Sequence, residues 1–188
     1  MTIQDRRNRD RLSQRQLITS TARALAGREG WDAVTTRRLA AEIEYSQPVI
    51  YKHFSSLDDI ADAVALDGFG ELAAALAEAR RAAAPGDDVR AVAHRYAAFA
   101  SDAPAVYDAM FSRSTRLRFG PGSPTTPSAA FAELRAAVAP HAGEADAETL
   151  TEVLWAGLHG LVVLLRSGRL RPGHDTARID LLVGRLLP

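Results

Sequence analysis

Apolar positions along the chain recur almost everywhere at helical spacing, three and four residues apart, and no stretch alternates as a strand would. Ser13 to Ala26 predicts a first helix, with Leu17, Ile18, Thr21, Ala22 and Leu25 on one face and Gly27 and Gly30 ending it. Thr35 is an N-cap ahead of Leu39, Ala40 and Ile43, and Ser46 is an N-cap ahead of Val49 and Ile50, with Pro48 in the first turn where a missing N–H costs least. Ser56 to about Ala82 predicts one long helix, with Asp58 and Asp59 complementing its dipole. Helices follow over 87–100, 103–111, 128–139, 147–167 and 176–187, the 147–167 segment being apolar nearly all round and so buried on more than one side. The stretch 113–128, with Gly120-Pro121-Gly122, Pro124 and Pro127, breaks the pattern and predicts a mobile surface loop. The fold class is all-α, about nine helices.

Two of these helices make a motif. Thr35 to Phe54 is a short helix, a tight turn and a second short helix whose outer side carries Gln47, Tyr51, Lys52 and His53. A helical pair of that shape with donors on the second member is the helix-turn-helix, and its second helix enters the major groove of DNA. Thr35, Thr36, Arg37, Ser46, Gln47, Pro48, Tyr51, Lys52 and His53 are the candidate DNA-binding residues. Gln47 and Tyr51 are placed on bases or phosphates, the threonines, Arg37, Lys52 and His53 on phosphates. The plainer alternative is a helical hairpin in an α-bundle.

Charge sharpens this picture. The net charge is zero, but residues 1–54 hold ten Lys/Arg against six Asp/Glu, a net of +4, and the remainder holds thirteen against seventeen, a net of −4. A basic first quarter on an acidic body is the asymmetry expected when only one end meets phosphate. Residues 1–12, with Arg6, Arg7, Arg9 and Arg11, read as a flexible basic arm for the DNA backbone or minor groove, or else as a solvated tail.

The segment Gln14 to Val64 resembles the DNA-binding domain of the TetR (tetracycline-repressor-like) family: Gly30, Thr35, Leu39-Ala40, Ser46, and Tyr51-x-His53-Phe54, with an apolar helix start at Ile60. The sequence departs from the family at Glu44, where a turn glycine is usual and either a strained positive-φ residue or a rearranged turn is expected, and at Leu57, where a phosphate-touching lysine is common. Trp155, His159-Gly160 and the Gly168-Arg169-Leu170 ending resemble one branch of the family's C-terminal domains. The resemblance implies a three-helix DNA-binding domain over 1–54 and a helical ligand-binding and dimerisation domain over 55–188. It implies a homodimeric regulator, most often a repressor, that binds a near-palindromic operator in double-stranded DNA and is released by a small-molecule effector.

The body supplies candidates for the effector. Tyr96, Phe99, Tyr107, Met110, Phe111, Trp155 and His159 are the residues expected to enclose an apolar cavity, each with ordinary core packing as the alternative. The last two helices are the expected dimer interface, through Leu154, Leu158, Leu161, Leu182 and Leu186, with Ala156, Gly157, Gly160 and Gly184 permitting close approach. A helical module that binds only small molecules or only protein is the competing class. It predicts no salt-dependent, sequence-selective DNA shift.

Other classes find little support. The five histidines are scattered, with no pair at metal-ligand spacing, and no nucleophile elbow or phosphate loop follows a strand, so no enzyme, metal or cofactor is expected. The absence of cysteine fits a reducing cytoplasm. No apolar run is expected to reach the ~18 residues that span a bilayer, and the polar N-terminus is unlike a signal peptide, so no membrane partner is expected.

Overall fold

A computed structural model describes residues 2–113 and 127–187. Nine α-helices and no strand occur among the described residues: α1 Ile3–Glu29, α2 Thr36–Glu42, α3 Gln47–His53, α4 Leu57–Ala82, α5 Asp88–Asp102, α6 Pro104–Asp108, α7 Pro127–Val138, α8 Ala147–Arg166 and α9 Asp175–Leu186. Most of the segment read from the sequence as a mobile loop, 114–126, lies outside the described residues.

The chain divides into two compact units, Met1–Gly68 with Ala103–Arg118, and Phe69–Asp102 with Phe119–Pro188. In the first, α1, α2 and α3 pack on one another around Ile18, Leu25, Leu39 and Ile50, each fully buried. The unit also takes in the first turns of α4 and the short helix α6, whose last turn widens into a π-helical turn, Ala109–Arg113. Trp31 does pack beside α1, and its indole N–H donates to the Ala105 carbonyl at 2.8 Å, tying α6 to the same core. In the second unit, α5, α7, α8 and α9 pack together, with Tyr96, Leu134, Leu154, Leu158 and Ile179 inward.

The caps explain the boundaries. Ser56 Oγ accepts from the Asp59 amide at 3.1 Å, while the Asp59 carboxylate accepts from the Ser55 amide at 2.9 Å, so α4 starts where the serine predicted. The Asp146 carboxylate starts α8 by accepting from the Thr149 amide at 2.8 Å. α1 starts ten residues before its expected start. Thr2 and Asp5 form a reciprocal capping box, the Asp5 amide donating to Thr2 Oγ1 at 3.2 Å and the Thr2 amide to the Asp5 carboxylate at 2.8 Å. The residues expected to be a flexible arm are therefore helical, because this cap satisfies the first amides and nothing after it breaks the helix.

Glu44 occupies the turn as its departure from the family pattern suggests. The Tyr45 amide donates to the Ala40 carbonyl at 2.9 Å and the Glu44 amide to the Ala41 carbonyl at 3.3 Å, a Schellman ending with Glu44 at φ +56°. α8 ends the same way, Arg169 to Leu164 and Gly168 to Leu165, both 2.9 Å, but with Gly168 at φ +68°. A non-glycine residue in this region costs about 1–2 kcal/mol, and glycine returns about 0.5–1 kcal/mol of that as unfolded-chain entropy. Glu44→Gly is therefore expected to stabilise the protein by about 0.5–1 kcal/mol, read as a higher denaturant midpoint at unchanged m-value. A lower midpoint counts against a left-handed turn.

One expectation about α8 needs correcting. An 18-residue stretch of this 20-residue helix reaches a mean hydropathy of 1.3, long and apolar enough to cross a bilayer by length and composition. Glu152 stands inside the apolar stretch and leaves 153–165 as its longest uncharged part, which disguises the run in the sequence. Thr151, Leu154, Leu158 and Val162 form its buried side.

Candidate nucleic-acid interface

The interface is built from two short helices whose inner sides are held firmly. Leu39, Ala40, Ile50 and Phe54 are buried, which fixes α2 and α3 on α1 and leaves Arg37, Ser46, Gln47, Pro48, Tyr51 and Lys52 exposed together. Tyr51 is 55% exposed, a large aromatic side chain standing in water on the outer face of α3. Thr35 caps α2 by accepting from the Arg38 amide at 3.2 Å. Ser46 sits at the N-cap of α3 with no side-chain capping bond, so its hydroxyl is not spent on the helix. Thr36 Oγ1 lies 3.4 Å from Gln47 Oε1, coupling the two helices at their exposed ends.

Arginines that looked equivalent in the sequence divide into two groups. Arg38 forms a bidentate pair with Glu29, 2.8 and 3.1 Å, which holds the Glu29 carboxyl below its ordinary value. Arg28 reaches Glu42 at 3.1 Å. These pairs staple the end of α1 to α2. Arg15 donates to the His53 carbonyl and lies 4.1 Å over the Phe54 ring, so it caps the C-terminal end of α3. Sequence reading missed this role. The only signal for it was an arginine one turn before the first buried position of α1, which charge counting assigns to DNA. Among the ten basic residues of this region, Arg15, Arg28 and Arg38 thus hold the fold.

His53 is half-buried. Desolvation, then the positive charges of Arg11, Arg15 and Lys52, lower its pKa from 6.5. Its Nδ1 is buried without a hydrogen-bond partner among the described residues. In the absence of DNA the ring therefore favours its neutral form at pH 7.

The candidate effector residues fall in both units. Tyr107 and Phe111 meet at 4.7 Å between ring centroids, tilted by 50°, in the first, where Met110 is also buried. In the second, the Trp155 indole N–H donates to the Tyr96 hydroxyl at 3.1 Å, Phe131 meets Trp155 edge-on at 6.2 Å, and Phe99 is buried. His159 is half-buried, its pKa lowered by desolvation. A cavity of about 210 Å³ opens among α5, α8 and α9, lined by Leu158, Leu161, Val162, Leu165 and Ile179 with His94, Arg166 and Arg178 at its polar side.

The expected dimer residues are placed unequally. Leu154 and Leu158 are 1% exposed and pack inside the protomer, Leu161 lines the cavity, and Leu182 closes on Gly157, where an added Cβ would meet it at 2.8 Å. Leu186 is partly exposed. The outward stripe lies one step round each helix: Val153, Ala156, Gly160, Val163 and Leu164 on α8, and Ala177, Leu181 and Gly184 on α9. Gly160 and Gly184 face open space.

Residues 18–64 match the family model described as bacterial regulatory proteins, tetR family, and residues 89–186 match the tetracyclin repressor-like C-terminal domain. The chain is 28% identical over 158 residues to the uncharacterized HTH-type transcriptional regulator Rv0681 of Mycobacterium tuberculosis (strain ATCC 25618 / H37Rv), covering 82% of this chain and 71% of that one. It is similar in structure to a protein of unknown function from Rhodococcus sp. RHA1, with a TM-score of 0.74, 23% identity and 92% of each chain covered. It is also similar to the TetR family transcriptional regulator PfmR from Thermus thermophilus, with a TM-score of 0.64, 19% identity, and 90% and 96% of the two chains covered.

Proposed function

Because the chain belongs to the tetR family of bacterial regulatory proteins, which are DNA-binding regulators of transcription, we propose that it is a homodimeric, ligand-responsive repressor acting in the cytoplasm and away from membranes. The exposed polar side of α3, set on a buried apolar one, is the observation that carries this reading. α3 enters the major groove, Gln47 and Tyr51 meet bases or phosphates, and Thr35, Thr36, Arg37, Ser46, Lys52 and His53 meet the backbone. Pro48 holds the first turn of α3 in place. Residues 1–54 form the DNA-reading part and 55–188 the regulatory part. Two copies read half-sites about one helical turn apart, roughly 34–36 Å or a multiple.

Binding to a duplex selected from a random-sequence pool tests this. Arg37→Ala and Lys52→Ala are expected to weaken specific and random duplexes alike, each reducing the salt slope by roughly one unit per phosphate contact. Tyr51→Ala is expected to cost more, because the ring both packs and touches DNA. Wild-type behaviour in all three variants sinks the assignment of α3.

The effector is a small, mostly apolar molecule bound among the helices of the regulatory part. α4 is one continuous helix contributing to both compact units, so a ligand that favours one position of it changes DNA affinity. Coupling is reciprocal and typically about 1–3 kcal/mol, so operator DNA weakens the ligand by the same factor, roughly 5–150-fold. Calorimetry of such a ligand with and without operator reads that factor, and equal affinities would uncouple the two parts.

A further inference from the structure

We infer that the first three turns of α1 are a rigid arm that grips DNA beside the half-site read by α3, with Arg7 and Arg11 on phosphates. The inference rests on the DNA-binding reading and extends it to residues outside the helix-turn-helix. Its starting point is a helix that buries nothing. Residues 4–13 are exposed without exception, Leu12 is 66% exposed, and the first buried position of α1 is Ile18. Packing therefore does not hold these turns. They persist through the Thr2–Asp5 capping box and through continuity with the anchored part of α1.

Charge does not explain them as folding elements either. Four arginines stand against Asp5 and Asp10 in residues 2–13, close to a helix N-terminus, where cations gain nothing from the dipole. Neither Arg7 nor Arg11 has an ion-pair partner among the described residues, in contrast to Arg28 and Arg38.

Spacing gives these charges a direction. Arg7, Arg11 and Arg15 are four residues apart and form one stripe along α1, in line with Ile18, which points into the unit's core. The stripe's lower end is fixed: Arg15 holds the His53 carbonyl and covers Phe54 at the end of α3. At 1.5 Å per residue, Arg11 and Arg7 follow at about 6 and about 12 Å along the helix axis. Arg11 is near enough to α3 for its charge to bear on His53. A line of positive charge thus starts at the recognition helix and runs outward from it. A polyanion already seated on α3 is its natural partner, and the contact would add affinity without adding sequence preference.

The test uses the full-length protein, a long selected duplex with flanking sequence, and a short one ending at the half-sites. Arg7→Gln/Arg11→Gln is expected to leave circular dichroism and the melting temperature unchanged. It should weaken the long duplex about 10- to 100-fold and lower its salt slope by about 0.9 for each phosphate the arginines no longer neutralise. Hydroxyl-radical protection should retract from the flanks in this variant, and the short duplex should be bound much like wild type. Asn8→Pro keeps every charge but breaks the helix, and it is expected to lose a similar share of the flank-dependent affinity. Unchanged affinity, slope and flank protection in the double variant, with the wild type still binding, overturns the arm while sparing the DNA-binding reading. The same overturn would follow if the arm's partner were an acidic protein segment. Wild-type affinity for Asn8→Pro would overturn the rigid helix in favour of a flexible tail. No salt-dependent binding by the wild type itself is the separate failure of the DNA-binding reading.

Discussion

Leu181→Glu is expected to turn a dimer into a folded monomer and to remove most of its operator affinity. Leu181 is 60% exposed on α9, and Val153, Val163 and Leu164 on α8 are 47%, 46% and 38% exposed. Apolar side chains of that size, in register on adjacent helices and separated by glycines open to solvent, form a smooth face that two copies can bring close together. A carboxylate on that face costs the protomer little, because it stays in water. Between two copies it becomes a buried, unpaired charge, a change of the kind that costs about 3–5 kcal/mol. Loss of the dimer separates the two recognition helices, and with them the avidity of about 10²–10⁴ that linked half-site binding adds. Sedimentation equilibrium at micromolar concentration should show wild-type dimer and variant monomer, with the helical signal retained. Leu158→Glu is the contrast. That side chain is 1% exposed, so the charge enters the protomer's core and the expected result is unfolding rather than dissociation. A Leu181→Glu dimer would place the interface elsewhere.

The difference between Leu158 and Leu181 shows what sequence can and cannot supply. Helix existence was legible because apolar spacing and caps are local: Thr35, Ser56 and the glycine after α8 mark boundaries that the backbone bonds confirm. The odd turn at Glu44 was legible too, because one residue type departed from a turn that suits glycine, but the backbone alone decides that the turn keeps a positive φ rather than rearranging. Which side of α8 faces out was not legible. An apolar-all-round helix has two candidate faces, and only the packing of α5, α7 and α9 chooses between them. The arginines failed for a related reason. Arg37 and Arg38 are neighbours in sequence and alike in composition, but Arg38 pairs with Glu29 across a helix junction that no local pattern announces. The arm misled because solubility and charge suggest disorder, whereas Thr2 and Asp5, three residues apart, cap a helix through all of it.

Gly68 gives the sharpest disagreement between local propensity and packing. By propensity alone, Gly68→Ala in the middle of a 26-residue helix should stabilise by about 1 kcal/mol. A methyl group at this position would lie 2.4 Å from Val106 Cγ1 and 3.0 Å from Met110 Sδ, and real contacts do not come that close. Glycine at this position lets α4 approach α6. Val106 is 2% exposed, and its neighbour Ala105 is held by the Trp31 indole, so α6 has little room to retreat. Overpacking of this kind costs about 1–3 kcal/mol, which outweighs the propensity gain. Gly68→Ala is therefore expected to lower stability, and Gly68→Leu to lower it further. Val106→Ala supplies the check, because it deletes the methyl group that the new Cβ meets. Alone it should destabilise by leaving a cavity. Combined with Gly68→Ala it should cost markedly less than the two changes added, a coupling of about 1–2 kcal/mol in a double-mutant cycle read by urea denaturation. Additive effects, or a stabilising Gly68→Ala, would mean that α4 and α6 are not in this close contact in solution.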